Sequence, residues 1–177
     1  MTTISVRGGS LQVRPVTQAD LDAVLDVYRH SEDFLALGPT ATASLAMVLD
    51  DIDLAKREGG VFCGIYAADN TMVGVVEYIA SPFNGDPHCA CLCLLMIARD
   101  HRNRGIGQAV LSAVETELRS DPQVSAIVAG VQVNNPRALA FWQKHGYRVV
   151  SGPEVRPDLT TVLGLRKDFP PDVTGGK

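Results

Sequence analysis

The sequence predicts a mixed α/β domain with a mostly antiparallel middle, and three observations carry that prediction. The first is size and composition: 177 residues, 46% hydrophobic and 20% charged, enough to bury a core within the length of one domain. The second is the order of periodic segments, β-α-α-β-β-β-α-β-α-β-β, in which the three central strands follow one another through short turns. The third is the junction LLMIARDHRNRGIGQ at residues 94–108. There a buried-strand run passes through a basic glycine loop straight into a helical pattern.

Taken in order, residues 1–9 have no apolar core, and they and the tail PPDVTGGK at 170–177 are expected to be disordered. Residues 11–16 (LQVRPV) form a short strand ending at Pro15. Thr17 and Asp20 have capping-box spacing ahead of Leu21, Val24, Leu25 and Tyr28, which repeat as one face of a first helix. Residues 31–42 are a connection. A second helix starts near Ser44, turns Leu45, Val48, Leu49 and Ile52 inward, and stops at Gly59 and Gly60. Strands at 61–67 and 72–80 meet at a turn through Asp69 and Asn70. A Pro- and Gly-containing turn at 81–87 leads to the strand that ends in Leu94, Leu95, Met96 and Ile97. Val110, Leu111, Val114 and Leu118 mark the third helix, and 124–133 the next strand. Asn135 as N-cap and Pro136 in the first turn open a fourth helix with Ala138, Leu139 and Trp142 inward, closed by Gly146. Strands at 147–150 and 159–165 finish the chain. Neither repeats nor a linker interrupt it, so one domain is expected over 1–177 with its core at about 11–167.

Bulk properties narrow the function. A net charge of −4 argues against nucleic acid or an anionic membrane as the main partner. No run approaches membrane-spanning length and the start has no signal-like core, so the expected compartment is the cytoplasm. Cys89, Cys91 and Cys93 alternate along one strand, but with no C-x-x-C and no paired histidines they and Cys63 read as packed thiols rather than metal ligands.

The glycine loop is built for an anion. Unpaired N–H groups at the helix start converge on one point, the helix dipole adds positive charge, and Gly105 and Gly107 let a bulky group approach the main chain. No Lys-Ser or Lys-Thr follows, which excludes a P-loop; Val110 stands where a dinucleotide fingerprint needs its third glycine. Arg102, Gly105 and Gly107 instead spell R-x-x-G-x-G. Downstream, Asn135, Ala138 and the run FWQKHGY at 141–147 spell N-x-x-A, an aromatic helix face and Gly-Tyr. These two motifs, in this order, resemble the GNAT (GCN5-related) N-acetyltransferase superfamily.

The resemblance implies a fold whose mixed, mostly antiparallel sheet is splayed between its fourth and fifth strands, and a ligand, acetyl-CoA, held at that splay. Main-chain donors of Arg102, Asn103, Arg104, Gly105, Ile106, Gly107 and Gln108 would hold its pyrophosphate. Leu95, Met96 and Ile97 would pair with the pantetheine arm as an added strand would. Asn135 would reach the arm or serve only as the N-cap, and Trp142 would pack beside it. The Ile97 N–H would stabilise the developing oxyanion. The acceptor is a further demand: an alkylamine with a pKa of about 10 is roughly one part in a thousand free base at neutral pH, so a base is required. Here the chain departs from the family. Cys91 stands where many members have a glutamate, and the nearest replacement is Glu77, which is either buried as a base of raised pKa or turned to solvent from an open sheet face. Trp142 stands at the position of an acidic tyrosine, and Tyr147 does not replace it by motif.

In this fold the acceptor lies between the connection at 31–42 and the segment 151–158. Glu32 and Asp33 would suit a cationic amine, with Phe34 as an apolar wall. The expected function is transfer of an acetyl group to a primary amine of a small molecule by direct attack in a ternary complex. A peptide or protein acceptor, and a non-catalytic acyl-CoA-binding module, are the alternatives. Homodimerisation is compatible with the family, and no metal is implied.

Overall fold

The computed structural model describes residues 2–6 and 9–169. The strands are β1 (Thr2–Val6), β2 (Gly9–Pro15), β3 (Val61–Tyr66), β4 (Met72–Ile79), β5 (Cys89–Ile97), β6 (Ala126–Gln132), β7 (Arg148–Val155) and β8 (Thr161–Asp168). The helices are α1 (Leu21–Arg29), a single turn α2 (Glu32–Leu35), α3 (Leu45–Arg57), α4 (Ile106–Leu118) and α5 (Pro136–Lys144). One sheet runs in the order β1-β2-β3-β4-β5-β6-β8-β7, and every neighbouring pair is antiparallel except β5 and β6.

The expected order holds, with one strand added in front. Thr2–Val6 pairs with Gly9–Pro15 in the register Ile4↔Leu11, where the sequence pattern suggests disorder. The β-branched Thr2, Thr3, Ile4 and Val6 favour the pleated conformation, and β2 offers them an edge. The tail at 170–177 lies outside the described residues.

Two apolar layers sandwich the sheet. On one face α1 and α3 bury Val24, Tyr28, Val48 and Ile52 against Phe62, Val75 and Met96. On the other, α4 and α5 set Val110, Leu111, Val114 and Trp142 over Ile65, Val76, Leu92 and Ile127. The predicted cap of the first helix forms around a buried charge. Asp20 accepts from Thr17 N (2.8 Å), Thr17 Oγ1 (2.7 Å), both terminal nitrogens of Arg14 (2.9 and 3.1 Å) and Tyr66 Oη (2.8 Å). So many donors, led by Arg14, hold its carboxyl below the usual carboxylate range despite burial.

The feature that creates the site is where pairing stops. Strands β5 and β6 are joined only from Cys89↔Ala126 to Leu92↔Ala129, yet β5 runs on to Ile97 and β6 to Gln132. At the same level β5 carries a bulge: Tyr78 faces Leu92 and Glu77 faces Leu94, leaving Cys93 without an opposite residue. Bulges bend the strand that bears them, and this one sits where the pairing of β5 with β6 ends. Cys93 Sγ lies 3.4 Å from Cys91 Sγ, and all four cysteines are free thiols. Among the described residues no helix is long and apolar enough to cross a membrane.

Candidate active site

The open lip of β5 presents backbone groups to the gap. Ala98 N–H donates to Val73 O across to β4 (3.0 Å), and Val75↔Met96 is the next pair of that phase. Backbone groups alternate sides along a strand, so Leu95 and Ile97 direct theirs away from β4, into the splay. Past Ile97 the chain makes a 3-10 turn at Arg99–His101 and then the glycine loop. Gly105 sits in the left-handed region at φ 81 as N-cap of α4, a conformation natural to glycine, and sends the first N–H groups of the helix toward the gap.

These elements enclose a groove of about 660 Å³. Leu95, Met96 and Ile97 form one wall; Arg102, Asn103, Gly105, Ile106, Gly107 and Gln108 form the end; Asn135 and Trp142 stand opposite. Of the loop residues named from sequence, Arg104 alone does not line the groove and is exposed. The Asn135 Oδ1 accepts from Ala138 N (3.0 Å), so its side-chain oxygen is the N-cap of α5 and its amide nitrogen is what remains for the groove. Trp142 is buried edge-on between Phe141 and Tyr147, with centroids 5.6 and 4.8 Å away.

Several lining residues were missed by pattern alone. Arg137, Phe141 and Lys144 share a face of α5 at i, i+4 and i+7 and border the groove with His145 and His101. Arg137 Nη2 also donates to Asn103 Oδ1 (2.8 Å), tying α5 to the glycine loop. Helical spacing within PRALAFWQK was the available signal, since the inward Ala138, Leu139 and Trp142 leave a second, cationic face.

Of the acidic residues of the 31–42 connection, Asp33 lines the groove and Glu32 does not. Asp33 holds Arg102 through two hydrogen bonds (2.6 and 3.1 Å), with Arg99 at 3.5 Å, and Arg102 Nε donates to Ile97 O (2.7 Å). Asp33 is thus a strut for the loop rather than a free carboxylate, and Arg102 keeps its pKa below the usual value. Glu32 Oε1 accepts from Ala43 N (3.0 Å) and closes its own connection. Phe34 does line the groove.

Glu77 is buried, at 9% exposure, but beneath the α1–α3 layer and off the groove. Among the described residues it has no hydrogen-bond or ion-pair partner. Burial pushes its carboxyl up to about 7, helped by the negative charges of Asp51 and Glu58. Tyr28 Oη donates to Asp51 Oδ2 beside it (2.6 Å). Tyr147 is buried and does not line the groove; burial and Glu115 raise its phenol.

With this geometry in place, the family model described as "Acetyltransferase (GNAT) family" matches residues 24–147, a span that begins within α1 and holds the splay, the glycine loop and α5. The chain belongs to the GNAT acetyltransferase family. No curated protein matches the sequence. Solved structures share the fold. An acetyltransferase from Thermus thermophilus is 23% identical at a TM-score of 0.77, covering 95% of this chain and 100% of that one. The spermidine N-acetyltransferase of Vibrio cholerae in complex with CoA and spermine is 16% identical at 0.66 (88% and 94% covered). AAC(6')-Ib in complex with ribostamycin and coenzyme A is 19% identical at 0.71 (89% and 93%).

Proposed function

We propose that this protein is an acetyl-CoA-dependent N-acetyltransferase that acetylates a primary amine of a small molecule by direct attack. The observation that carries this reading is the continuity of main-chain donors along one groove, from the N–H groups that Leu95 and Ile97 turn away from β4 to the N-terminus of α4. The spacing suits an elongated thioester with a diphosphate at one end. Gly105 and Gly107 keep side chains off that path: a Cβ on Gly105 would meet open space, and one on Gly107 would make ordinary contact with the Phe141 ring at 3.7 Å and Ile97 Cγ1 at 3.9 Å. The α5 cations Arg137 and Lys144 add charge for the remaining phosphate.

Bound acetyl-CoA supplies the activated acyl group; the chain's residues do the rest. Leu95 and Ile97 would hold the arm in register, and the Ile97 N–H would stabilise the charge that develops on the thioester oxygen. Glu77, whose carboxyl burial raises to about 7, would serve as the base through intervening water rather than by direct contact, since it does not line the groove. No side chain is assigned to protonate the departing thiolate, since Trp142 offers only an indole N–H and a thiol pKa of about 8.5 already permits departure.

The test is calorimetry with CoA followed by thiol release from acetyl-CoA over a panel of free amines and peptides. Heat on CoA addition and turnover with a free amine are expected. Turnover with peptides alone would replace the acceptor class, and binding without any turnover would make the protein an acyl-CoA-binding module.

A further inference from the structure

We propose that Cys91 and Cys93 are a modification site: a dithiol that a hydroperoxide oxidises to a disulfide at the point where β5 parts from β6, loosening the groove's hold on its ligand. The two sulfurs stand 3.4 Å apart, with the Cys93 S–H donating to Cys91, and all four cysteines are free thiols. The other two are placed differently. Cys89 turns its S–H to Ala90 O (3.6 Å), and Cys63 is buried on β3.

Same-face neighbours on a regular strand stand about 6.6 Å apart at Cα, near the outer limit for a disulfide. Here the strand is not regular. Cys93 is the extra residue of the bulge, fitted between Leu92 and Leu94 against the single step from Tyr78 to Glu77. An extra residue packed into that length shortens the span, and a bond of about 2.05 Å asks the sulfurs to close by about 1.4 Å more. Cys93 is partly exposed, within reach of an oxidant as small as hydrogen peroxide, while Cys91 is buried.

The Cys91 sulfur and burial both hold the Cys93 thiol protonated, so its attack needs a base. Glu77 faces it, with a carboxyl raised to about 7 by burial and no hydrogen-bond partner among the described residues. With Glu77 taking the proton, the Cys93 sulfur attacks one peroxide oxygen and the O–O bond breaks. The departing hydroxide collects that proton as water and leaves Cys93 as a sulfenic acid. The Cys91 sulfur then attacks Cys93, the S–O bond breaks, and the second hydroxide leaves as water with the Cys91 proton. Two thiols are oxidised to one disulfide, and one peroxide is reduced to two waters. A reducing thiol reverses the bond by exchange.

Cys91 is paired with Val128 of β6, whereas Cys93 lies just past Leu92, the last paired residue. The disulfide therefore ties the fixed part of β5 to its open lip and resets the bulge immediately ahead of Leu95 and Ile97. Those are the residues that turn N–H groups into the groove, so the effect on CoA rests on the acetyltransferase reading. Formation of the bond does not.

The experiment treats the parent, Cys93→Ser and Cys91→Ser with hydrogen peroxide. It then reads intact mass, iodoacetamide labelling by peptide fragmentation, and CoA affinity by calorimetry. In the parent, the mass is expected to fall by two hydrogens, and Cys91 and Cys93 to escape labelling until dithiothreitol is added. CoA affinity is expected to drop about tenfold and to return on reduction. Cys91→Ser is expected to hold Cys93 as a sulfenic acid that dimedone captures, and Cys93→Ser to keep its mass and its affinity. Full labelling of Cys91 and Cys93 after peroxide, or a response of Cys93→Ser equal to the parent's, overturns the inference. A disulfide that forms with CoA affinity unmoved overturns it too. An untreated protein that binds no CoA, yet forms the bond, overturns the acetyltransferase reading and leaves the dithiol assignment standing.

Discussion

Replacing Glu77 with glutamine isolates one titration and gives it two independent readouts. The carboxyl is raised from an ordinary 4.5 to about 7 in the folded protein. A raised acid favours folding while protonated and loses that advantage as pH climbs through its folded value. The total at stake is about 3 kcal/mol, and about 2 kcal/mol of it falls between roughly pH 5.5 and pH 8. The groups facing Glu77 are Tyr28 on α1, Asp51 on α3, Glu58 just beyond it, and Cys93 on β5. Asp51 is itself raised by burial, so the parent protein keeps some pH dependence that the variant retains. Urea unfolding at the two pH values therefore has a defined outcome: the parent weakens with rising pH by about 2 kcal/mol more than Glu77→Gln does. Parallel curves would show that the carboxyl is not buried in the acid form and would remove the physical basis for its use as a base. In turnover, the parent rate should rise with an apparent pKa near 7, and Glu77→Gln should lose that limb and fall by about 100-fold. A preserved limb would assign the proton to another group.

Three further expectations concern the groove. Gly105→Ala forces a Cβ onto a left-handed backbone with free space around it, so stability drops by about 1–2 kcal/mol and CoA binding weakens, both readable by thermal melts with and without CoA. Asp33→Asn releases Arg102. Because the pair is partly exposed (42% and 19%), global stability moves by less than about 1 kcal/mol, while amide exchange across residues 99–107 accelerates in the free protein; unaltered exchange would deny the strut. Removing Lys144 and Arg137 together should cost about tenfold in CoA affinity and flatten its salt dependence, measured by calorimetry at two ionic strengths.

What could be read from the chain alone was whatever depends on neighbours in sequence. The glycine loop is a matter of backbone freedom and helix start within a few residues. The N-cap at Asn135 is equally local, and both stand where the pattern puts them. Arg102 and Asp33 show the limit: they are 69 positions apart, and nothing in either segment reveals that one neutralises the other. Glu77 illustrates a second limit. Alternation says that it shares a face with Val75, but whether that face carries helices is decided by α1 and α3 packing over it. The segment 151–158 reads as a loop because of Gly152 and Pro153, yet β7 runs through both to Val155 with broken register, since the fixed edge of β8 offers partners on either side of the irregularity.

The seam between β5 and β6 has a mechanical consequence. Within the sheet, β1–β5 and β6–β8 share a ladder only from Cys89↔Ala126 to Leu92↔Ala129, a short hinge backed by the common core under α4 and α5. A molecule lying along the open part of that hinge acts as a splint, and its binding free energy is added to the cohesion of the plates by mass action. Resistance to unfolding should then track the concentration of the splint, which couples the lifetime of the protein to the availability of its own acyl donor.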